Sequence, residues 1–216
     1  MTGICLSVFP HARSVPSLRK RIYPKQPDLI EYRLDYVTES SVLRSLVKNK
    51  RCPIIATDRS RRKLSKALLL KAAEVGFDYV DVDIQSPSIP VMIRELKTDD
   101  VRIIASHHDF QKTPSEKRLM QLLRIEERLG GDICKLVTTA IRPVDNLTIL
   151  QFLSNCSPRT RIVSFAMGNL GIPSRVLSPF FGAEFTFASI DDRSKTAEGQ
   201  MSIDDLRRMW KMLGII

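Results

Sequence analysis

Eight short apolar segments recur along the 216-residue chain, and this repeat limits the possible folds more than any other feature of the sequence. Each segment is rich in β-branched residues and precedes a polar stretch with helical periodicity. The segments are residues 3–9, 29–36, 53–59, 79–84, 101–108, 133–140, 161–168 and 185–190. Strands that alternate with helices pair in parallel and carry the helices outside the sheet. Eight such units predict an α/β fold, a (β/α)8 TIM barrel, with residues 1–216 as one compact domain.

An open doubly wound sheet is the alternative arrangement of the same elements. That fold usually has a glycine-rich turn after its first strand, and no such turn is present in the sequence. No linker-like stretch divides the chain. A (β/α)8 barrel typically takes about 250 residues, so we expect short loops.

Two segments carry signals for the start of a helix. Residues 113–116 (Thr-Pro-Ser-Glu) match a capping box with proline at the first helical position, and the helix they predict ends at Gly130. Ser202, with an acidic Asp205 three residues later, predicts the start of the last helix.

The charge balance favours an anionic partner. The chain has 34 lysine and arginine residues against 24 aspartate and glutamate residues, a net charge of +10, and part of the excess lies in residues 59–66. Such an excess attracts nucleic acid or a small anion. Aromatic residues make up only 6% of the chain, and no recognised nucleic-acid module accompanies the basic segment. We therefore expect a small anionic substrate and no nucleic acid.

Several other classes of protein are disfavoured. No apolar run approaches the roughly 18 residues that span a membrane, so we expect no membrane association. Residues 1–7 lack a basic region and resemble a strand more than a signal peptide, which favours a cytoplasmic location. The four cysteines form no C-x-x-C pair, so we expect reduced core thiols and no zinc site.

Lys135 lies in the middle of the sixth apolar segment. Because side chains alternate in a strand, Ile133, Lys135 and Val137 share one face, and Cys134 and Leu136 share the other. An amine on an apolar face is poorly solvated as the ammonium, which favours its use as a nucleophile towards a carbonyl. The alternative is a strand-end lysine whose ammonium extends to water. The strand alone does not separate these interpretations.

Polar side chains accumulate towards the ends of the predicted strands, where (β/α)8 barrels carry their chemistry. They are Ser7, Glu31, Arg33, Asp35, Thr57, Arg59, Asp81, Asp83, Ser106, His108 and Lys135. Charges inside a barrel need partners to offset their desolvation, so a structural salt-bridge ladder is an alternative explanation for Glu31 and Arg33. That alternative does not account for a histidine and a lysine on consecutive strands.

His107 and His108 are neighbours, so only one of them points into the barrel, and alternation alone does not determine which. With no second ligand at metal spacing, a histidine here suits proton transfer near neutral pH better than zinc binding.

Together these residues resemble the type I 3-dehydroquinate dehydratases, Schiff-base enzymes of the shikimate pathway. The similarity covers nearly the whole chain. Its motifs are Glu-x-Arg-x-Asp at 31–35, His-Asp-Phe at 108–110 with Thr-Pro at 113–114, Lys135, Met-Gly at 167–168, Ser-Arg-Val at 174–176, Phe-Thr-Phe at 185–187 and Gly-Gln at 199–200. Each motif is weak by itself, but their order and spacing together are specific.

The resemblance implies a lyase that converts 3-dehydroquinate into 3-dehydroshikimate. It implies that Lys135 forms an imine with the C3 carbonyl, and that His108 removes a proton from C2 and then assists departure of the C1 hydroxyl. A protonated imine acts as an electron sink, so we expect no metal and no organic cofactor. We expect nearby cations to keep Lys135 neutral before it attacks. The resemblance also implies a homodimer.

Substrate binding falls, by the same resemblance, on further residues of the strand ends and late loops. They are Ser7, Glu31, Arg33, Arg59, Met167, Arg175, Phe187, Thr196 and Gln200. Arg175 would hold the substrate carboxylate, because its planar guanidinium can meet both oxygens. Residues 193–200 would form a lid that excludes water. Thr196 stands where the family more often has serine, which preserves the hydroxyl.

One segment departs from the family pattern. After the arginine of the third strand, the family usually has an acidic residue that supports the catalytic histidine, followed by Gly-Gly. Residues 59–65 here read Arg-Ser-Arg-Arg-Lys-Leu-Ser, and the departure centres on Lys63. A missing carboxylate shifts the titration of His108, unless Asp81 or Asp83 takes over the supporting role.

Two competing functions stay open on the sequence. Another class I Schiff-base barrel enzyme, of the aldolase type, would share Lys135 but would not need the motif at 108–110 together with Arg175 and Gln200. A catalytically inactive barrel that binds an anion or nucleic acid would account for the basic segment at 59–66.

Overall fold

The computed structural model describes residues 3–10, 15–60, 65–86, 89–97 and 100–216, in which strands alternate with helices. The strands are β1 (Gly3–Val8), β2 (Leu29–Arg33), β3 (Ile54–Thr57), β4 (Tyr79–Asp83), β5 (Arg102–His108), β6 (Ile133–Thr139), β7 (Ile162–Met167) and β8 (Phe185–Ala188). The helices are α1 (Val15–Ile22), α2 (Ser41–Val47), α3 (Ser65–Glu74), α4 (Ile89–Leu96), α5 (Glu116–Leu129), α6 (Asp145–Ser154), α7 (Ile172–Leu177) and α8 (Ile203–Met212). Each of the eight predicted apolar segments contains one strand.

The strands form one parallel sheet in the order β7-β6-β5-β4-β3-β2-β1-β8. At the seam between β7 and β8, the amide of Glu184 donates to the carbonyl of Ile162 at 2.8 Å. The guanidinium of Arg161 pairs with the carboxylate of Glu184 across the same seam at 2.9 Å. The sheet therefore curls into a nearly closed barrel with helices outside, which confirms the predicted (β/α)8 fold.

The two faces of β6 pack as the alternation predicts. Ile133 and Val137 belong to the cluster that fills the barrel, together with Ile104, Phe165 and Phe187 among others. Cys134 and Leu136 instead pack outwards, against the leucine face of α5 and the apolar face of α6. The strand thus aims Lys135 into the barrel and Cys134 towards the helices.

The prediction that β2 runs to residue 36 is wrong. The strand ends at Arg33, and Leu34–Tyr36 form a turn of 3₁₀-helix. The carboxylate of Asp35 accepts hydrogen bonds from the Arg33 side chain at 2.9 Å and from the backbone amide of Arg59 at 3.1 Å. These bonds bend the chain, so Asp35 does not continue the inner face of the strand.

The predicted capping box of α5 is also wrong. The helix begins at Glu116, and the side chain of Ser115 makes no capping hydrogen bond. Thr113 instead donates to the carbonyl of Thr139 at 3.0 Å, which ties the preceding loop to β6. The predicted helix end at Gly130 is confirmed, because this glycine adopts a φ of 88°.

The predicted start of α8 is confirmed. The hydroxyl of Ser202 accepts from the amide of Asp205 at 3.1 Å and donates to its carboxylate at 2.6 Å. The reciprocal bonds satisfy a backbone donor of the first turn that has no partner within the helix.

The cysteines and the helix lengths agree with the composition. All four cysteines are free, with Cys5 and Cys134 buried and Cys52 and Cys156 half-buried. None of the helices in the described ranges is long and apolar enough to cross a membrane.

Candidate active site

A cavity of about 340 Å³ opens at the carboxyl ends of the strands, and all eleven predicted site residues line it. They are Ser7, Glu31, Arg33, Arg59, His108, Lys135, Met167, Arg175, Phe187, Thr196 and Gln200. The remaining lining residues are Thr57, Phe110, Val137, Thr139, Phe165, Gly168, Ala197 and Glu198. Adjacent parallel strands bring residues that are far apart in sequence to one end of the barrel.

Lys135 lies near the floor of this cavity, and its side chain is only 6% exposed. Its ammonium is 2.9 Å from a carboxylate oxygen of Asp81 and 3.4 Å from one of Glu31. It also lies 4.3 Å from the centre of the Phe187 ring. The lysine does not extend to water, so the snorkelling alternative is wrong. Its nearest charged neighbours are these two carboxylates and not the cations that were expected to keep it neutral.

Glu31 is held by hydroxyl groups from two neighbouring strands. Ser7 of β1 donates to one carboxylate oxygen, and Thr57 of β3 donates to the other at 2.9 Å. Burial acts to raise the pKa of Glu31, but Lys135 and Arg33 outweigh it and the pKa is lowered. The carboxylate therefore stays ionised at neutral pH. Thr196 donates to the Ser7 hydroxyl at 2.9 Å, which extends the network to the loop before α8.

Asp81 lies below the cavity floor, with a side chain that is fully buried. One of its oxygens accepts from Arg59 and from Ser106, each at 2.6 Å, and Arg59 also donates to Ser106 at 2.8 Å. Burial acts to raise the pKa of Asp81, but Arg59 and Lys135 outweigh it and hold the pKa well below its ordinary value. The carboxylate thus joins β4, β5 and β6 beneath the cavity.

His108 ends β5 on the inner face, and its ring stacks on Phe110 with centroids 5.8 Å apart. Burial, with Arg59 and Lys135, lowers the pKa of His108 well below its ordinary value, although Asp81 acts in the opposite direction. The imidazole is therefore neutral at neutral pH and can accept a proton. His107 points away from the cavity, and its Nδ1 lies 3.1 Å from the side-chain amide of Gln85.

Neither Asp81 nor Asp83 takes over the support of His108 through a hydrogen bond. The Nδ1 atom of His108 is buried and has no hydrogen-bond partner among the described residues. The predicted departure at Lys63 falls in residues 61–64, which lie outside the described residues.

Arg175 of α7 places a fully buried guanidinium in the lining of the cavity. The group lies 4.2 Å from the centre of the Phe165 ring, and its Nε has no hydrogen-bond partner in the described part of the chain. Burial lowers the pKa of Arg175 to about 10, so the group still carries its charge at neutral pH. A buried cation whose Nε has no partner among the described residues can bind a carboxylate in the cavity.

The loop between β8 and α8 covers one side of the cavity. Gln200 accepts from the backbone amide of Thr196 at 2.8 Å through its side-chain oxygen. The carbonyl of Glu198 lies 3.5 Å from the Arg175 guanidinium. The predicted lid segment therefore contacts residues of the site directly.

The sequence analysis placed Thr57, Ser106 and Asp81 at the strand ends, but it gave Thr57 and Ser106 no role and considered Asp81 only as a support for His108. Thr57 positions Glu31, whereas Ser106 and Asp81 connect Arg59 to Lys135. The sequence does contain a signal for these three residues, since each is a polar residue on the inner face of a buried strand.

No group of three or more histidine, cysteine, aspartate or glutamate residues in the described ranges is arranged to hold a metal ion.

Comparisons with known proteins agree on one family. Residues 4–216 match the family model of the type I 3-dehydroquinases. A 3-dehydroquinate dehydratase of Methanocaldococcus jannaschii is 30% identical over an alignment of 224 positions. The alignment covers 98% of this chain and 99% of the relative. A 3-dehydroquinate dehydratase of Dehalococcoides mccartyi is 37% identical over 144 residues. That match covers 67% of this chain and spans only 64% of the relative.

Solved structures show the same fold. The 3-dehydroquinate dehydratase of Geobacillus kaustophilus superposes with a TM-score of 0.84 at 26% identity, over 99% of this chain and 91% of that chain. A type I enzyme of Clostridium difficile, solved with covalently modified comenic acid, gives a TM-score of 0.85 at 24% identity, over 98% of this chain and 92% of that one.

Proposed function

Since the chain belongs to the type I 3-dehydroquinase family, we propose that it removes water from 3-dehydroquinate to give 3-dehydroshikimate, as a lyase of the shikimate pathway that leads to chorismate and the aromatic amino acids. The observation that carries the proposal is the meeting of Lys135, His108 and Arg175 in one cavity. An amine, a neutral imidazole and a carboxylate-binding cation are the groups that this elimination needs.

Lys135 forms an imine with the C3 carbonyl of the substrate. The protonated imine withdraws electrons from C2, so the proton on C2 becomes acidic enough for His108 to remove it. The electron pair released at C2 passes into a neutral enamine. Return of that pair expels the C1 hydroxyl, which takes the proton from His108 and leaves as water. A molecule of water then hydrolyses the product imine, which releases 3-dehydroshikimate and restores the amine of Lys135. The proposal includes no metal and no organic cofactor.

The other cavity residues bind and orient the substrate. Arg175 pairs with the substrate carboxylate, because its charge is buried and its Nε has no partner in the described ranges. Ser7, Glu31, Arg33, Arg59, Thr196 and Gln200 meet the hydroxyl groups, and Met167 and Phe187 pack on the ring. The segment at 193–200 closes over the substrate and excludes water.

We also propose an organisation and a location for the whole protein. Residues 1–216 act as a single catalytic domain, the protein works in the cytoplasm, and two copies form a homodimer. Neither nucleic acid nor a membrane is a partner in this function.

Turnover and imine trapping test the proposal together. We expect purified protein to convert 3-dehydroquinate with a rise in enone absorbance, and borohydride to attach the substrate to Lys135. Lys135→Ala should abolish both signals. His108→Ala should slow turnover by about 100-fold or more and still permit trapping, because proton transfer and not imine formation is lost. The matched control is His107→Ala, which should leave turnover in place.

The same experiment separates the competing functions. Trapping of Lys135 by an aldol substrate alone would identify an aldolase-type enzyme. No turnover of 3-dehydroquinate at any pH would favour an inactive barrel that binds an anion. Loss of activity with a chelator, restored by zinc, would refute the cofactor-free reaction.

A further inference from the structure

Asp81 makes the shortest ion pair of Lys135, although it does not line the cavity. Its Oδ2 is 2.9 Å from the Lys135 Nζ, while its Oδ1 is occupied by Arg59 and Ser106. Among the described residues, Oδ2 therefore bonds to the nucleophilic nitrogen alone. A carboxylate fixed by two other donors has little freedom to move away from that nitrogen.

Glu31 cannot fill the same place. It lies 3.4 Å from the Lys135 Nζ, and its two oxygens accept from Ser7 and Thr57. Glu31 also lines the cavity, where the proposed function uses it to bind substrate. Asp81 is therefore the better placed of the two to act on the nitrogen throughout the reaction.

Imine formation keeps both the charge and one hydrogen on that nitrogen. An ammonium with three hydrogens and a carbonyl combine to give an iminium with one hydrogen and a molecule of water. Two hydrogens of the ammonium leave with the carbonyl oxygen, and the remaining N–H stays beside a positive charge. That N–H needs an acceptor inside a site from which bulk water is excluded.

We propose that Asp81 is a positioning residue that accepts the remaining N–H of the Lys135 iminium, and so fixes its orientation and favours its protonated form. The inference rests on the proposed function, because it concerns the imine of that reaction. It assigns different tasks to the two carboxylates beside the lysine: Asp81 acts on the nitrogen, whereas Glu31 acts on the substrate.

Arg59 sets the strength of this interaction. Removal of the C2 proton converts the iminium to a neutral enamine, so a carboxylate with an undivided charge would oppose that step. Arg59 lies 2.6 Å from Asp81 and shares its charge. The charged or titratable groups around Asp81 are Lys135 on β6, Arg59 after β3, Glu31 and Arg33 on β2, His108 on β5 and Glu126 on α5.

Imine trapping in a His108→Ala background isolates the role of Asp81. Turnover is then slow, so the imine accumulates. Reductive trapping with cyanoborohydride, followed by intact-mass measurement, then reports the protonated imine across a pH series. The trapped fraction falls at high pH as the imine loses its proton, and we call this fall the alkaline limb. We expect Asp81→Asn to move the alkaline limb to lower pH by about one unit or more, because the negative charge beside the iminium is lost. In the chain with His108 intact, we expect kcat/KM to fall by about tenfold or more.

Asp83→Asn is the matched control. Asp83 lies on the same strand and its Oδ2 is 3.8 Å from Arg59, but it forms no ion pair with Lys135. The alkaline limb should stay in place in this variant. Asp81→Glu keeps the charge and displaces the carboxylate, so it should lower kcat/KM with a smaller shift of the limb. It also keeps the inference testable if Asp81→Asn fails to fold.

Three results would overturn the inference while leaving the proposed function intact. They are an unmoved alkaline limb in folded Asp81→Asn, an equal shift in Asp83→Asn, and unchanged kcat/KM in Asp81→Glu. If the unsubstituted protein does not turn over 3-dehydroquinate, the proposed function itself is wrong.

Discussion

At the residue scale, Glu126 of α5 is a charge-bearing side chain that the proposed reaction does not use. It is fully buried behind β6, and no hydrogen bond satisfies either carboxyl oxygen within the described residues. Burial raises the pKa of Glu126 from an ordinary value of 4.5 to about 9. The folded protein therefore keeps this carboxyl protonated at neutral pH, while the unfolded chain ionises it.

This difference makes stability depend on pH. Between pH 4.5 and about 9, unfolding releases the proton of Glu126, so the free energy of unfolding decreases as pH rises, by at most about 1.4 kcal/mol per pH unit. We expect Glu126→Gln to remove that slope and to be the more stable protein at pH 8, measured by urea unfolding between pH 5 and 8.5. Glu127→Gln, an exposed neighbour, is the control. If the free energy of unfolding varied with pH in the same way for Glu126→Gln and the unsubstituted protein, Glu126 would ionise normally.

At the element scale, the loop between β8 and α8 reaches the site through a contact between two glycines. Gly199 has a φ of 71°, and a Cβ at this position would overlap the backbone carbonyl of Gly168 at the end of β7. A side chain at this position therefore requires the loop to shift relative to the end of β7. Only glycine permits both this conformation and this approach.

We expect Gly199→Ala to raise the KM for 3-dehydroquinate by about tenfold, because Thr196 and Gln200 move with the loop. Gly214→Ala is the control, because it introduces the same backbone strain without displacing the loop. Gly214 has a similar φ of 66°, and no atom lies within 4 Å of its added Cβ. Steady-state kinetics and thermal unfolding should show both variants somewhat destabilised, but only Gly199→Ala impaired in KM. An unchanged KM in Gly199→Ala would mean that the loop does not bind substrate.

At the scale of the whole molecule, the exposed face of α6 carries no charged residue. The exposed residues of α6 are Leu147, Gln151 and Ser154, none of them charged, although 27% of the chain is charged and its net charge is +10. Leu170 lies beside this helix, because Asn146 donates to its carbonyl at 2.7 Å. Two copies of a basic chain can meet at such a face without bringing their positive charges together.

We expect the proposed homodimer to form through this face of α6. Leu147, at 63% exposed, is the most exposed apolar side chain on it, so Leu147→Glu should yield a monomer in sedimentation equilibrium. Met212→Glu places the same charge at another exposed apolar position, at the end of α8, and should remain dimeric. A dimer that survives Leu147→Glu would place the interface elsewhere.

The sequence by itself determined the strand number and the faces of the strands, whereas the family resemblance supplied the eleven predicted site residues that line the cavity. Apolar runs and alternation are local properties, so they identify Lys135 as a side chain on the inner face and Cys134 as one on the outer face. Two predictions of where an element begins or ends were wrong. The end of β2 depends on a hydrogen bond that the amide of Arg59 donates, and the start of α5 on one that the carbonyl of Thr139 accepts. Neither partner is near in sequence.

Only the tertiary structure decided how the charges pair. Register places Ser106 beside Lys135 and therefore turns His108, not His107, into the barrel. The ammonium of Lys135 meets Asp81, 54 residues earlier, and Glu31, 104 residues earlier, instead of the expected cations. Electrostatic energy depends on distances of a few ångströms between strands, and a sequence read in one dimension contains the charges but not those distances.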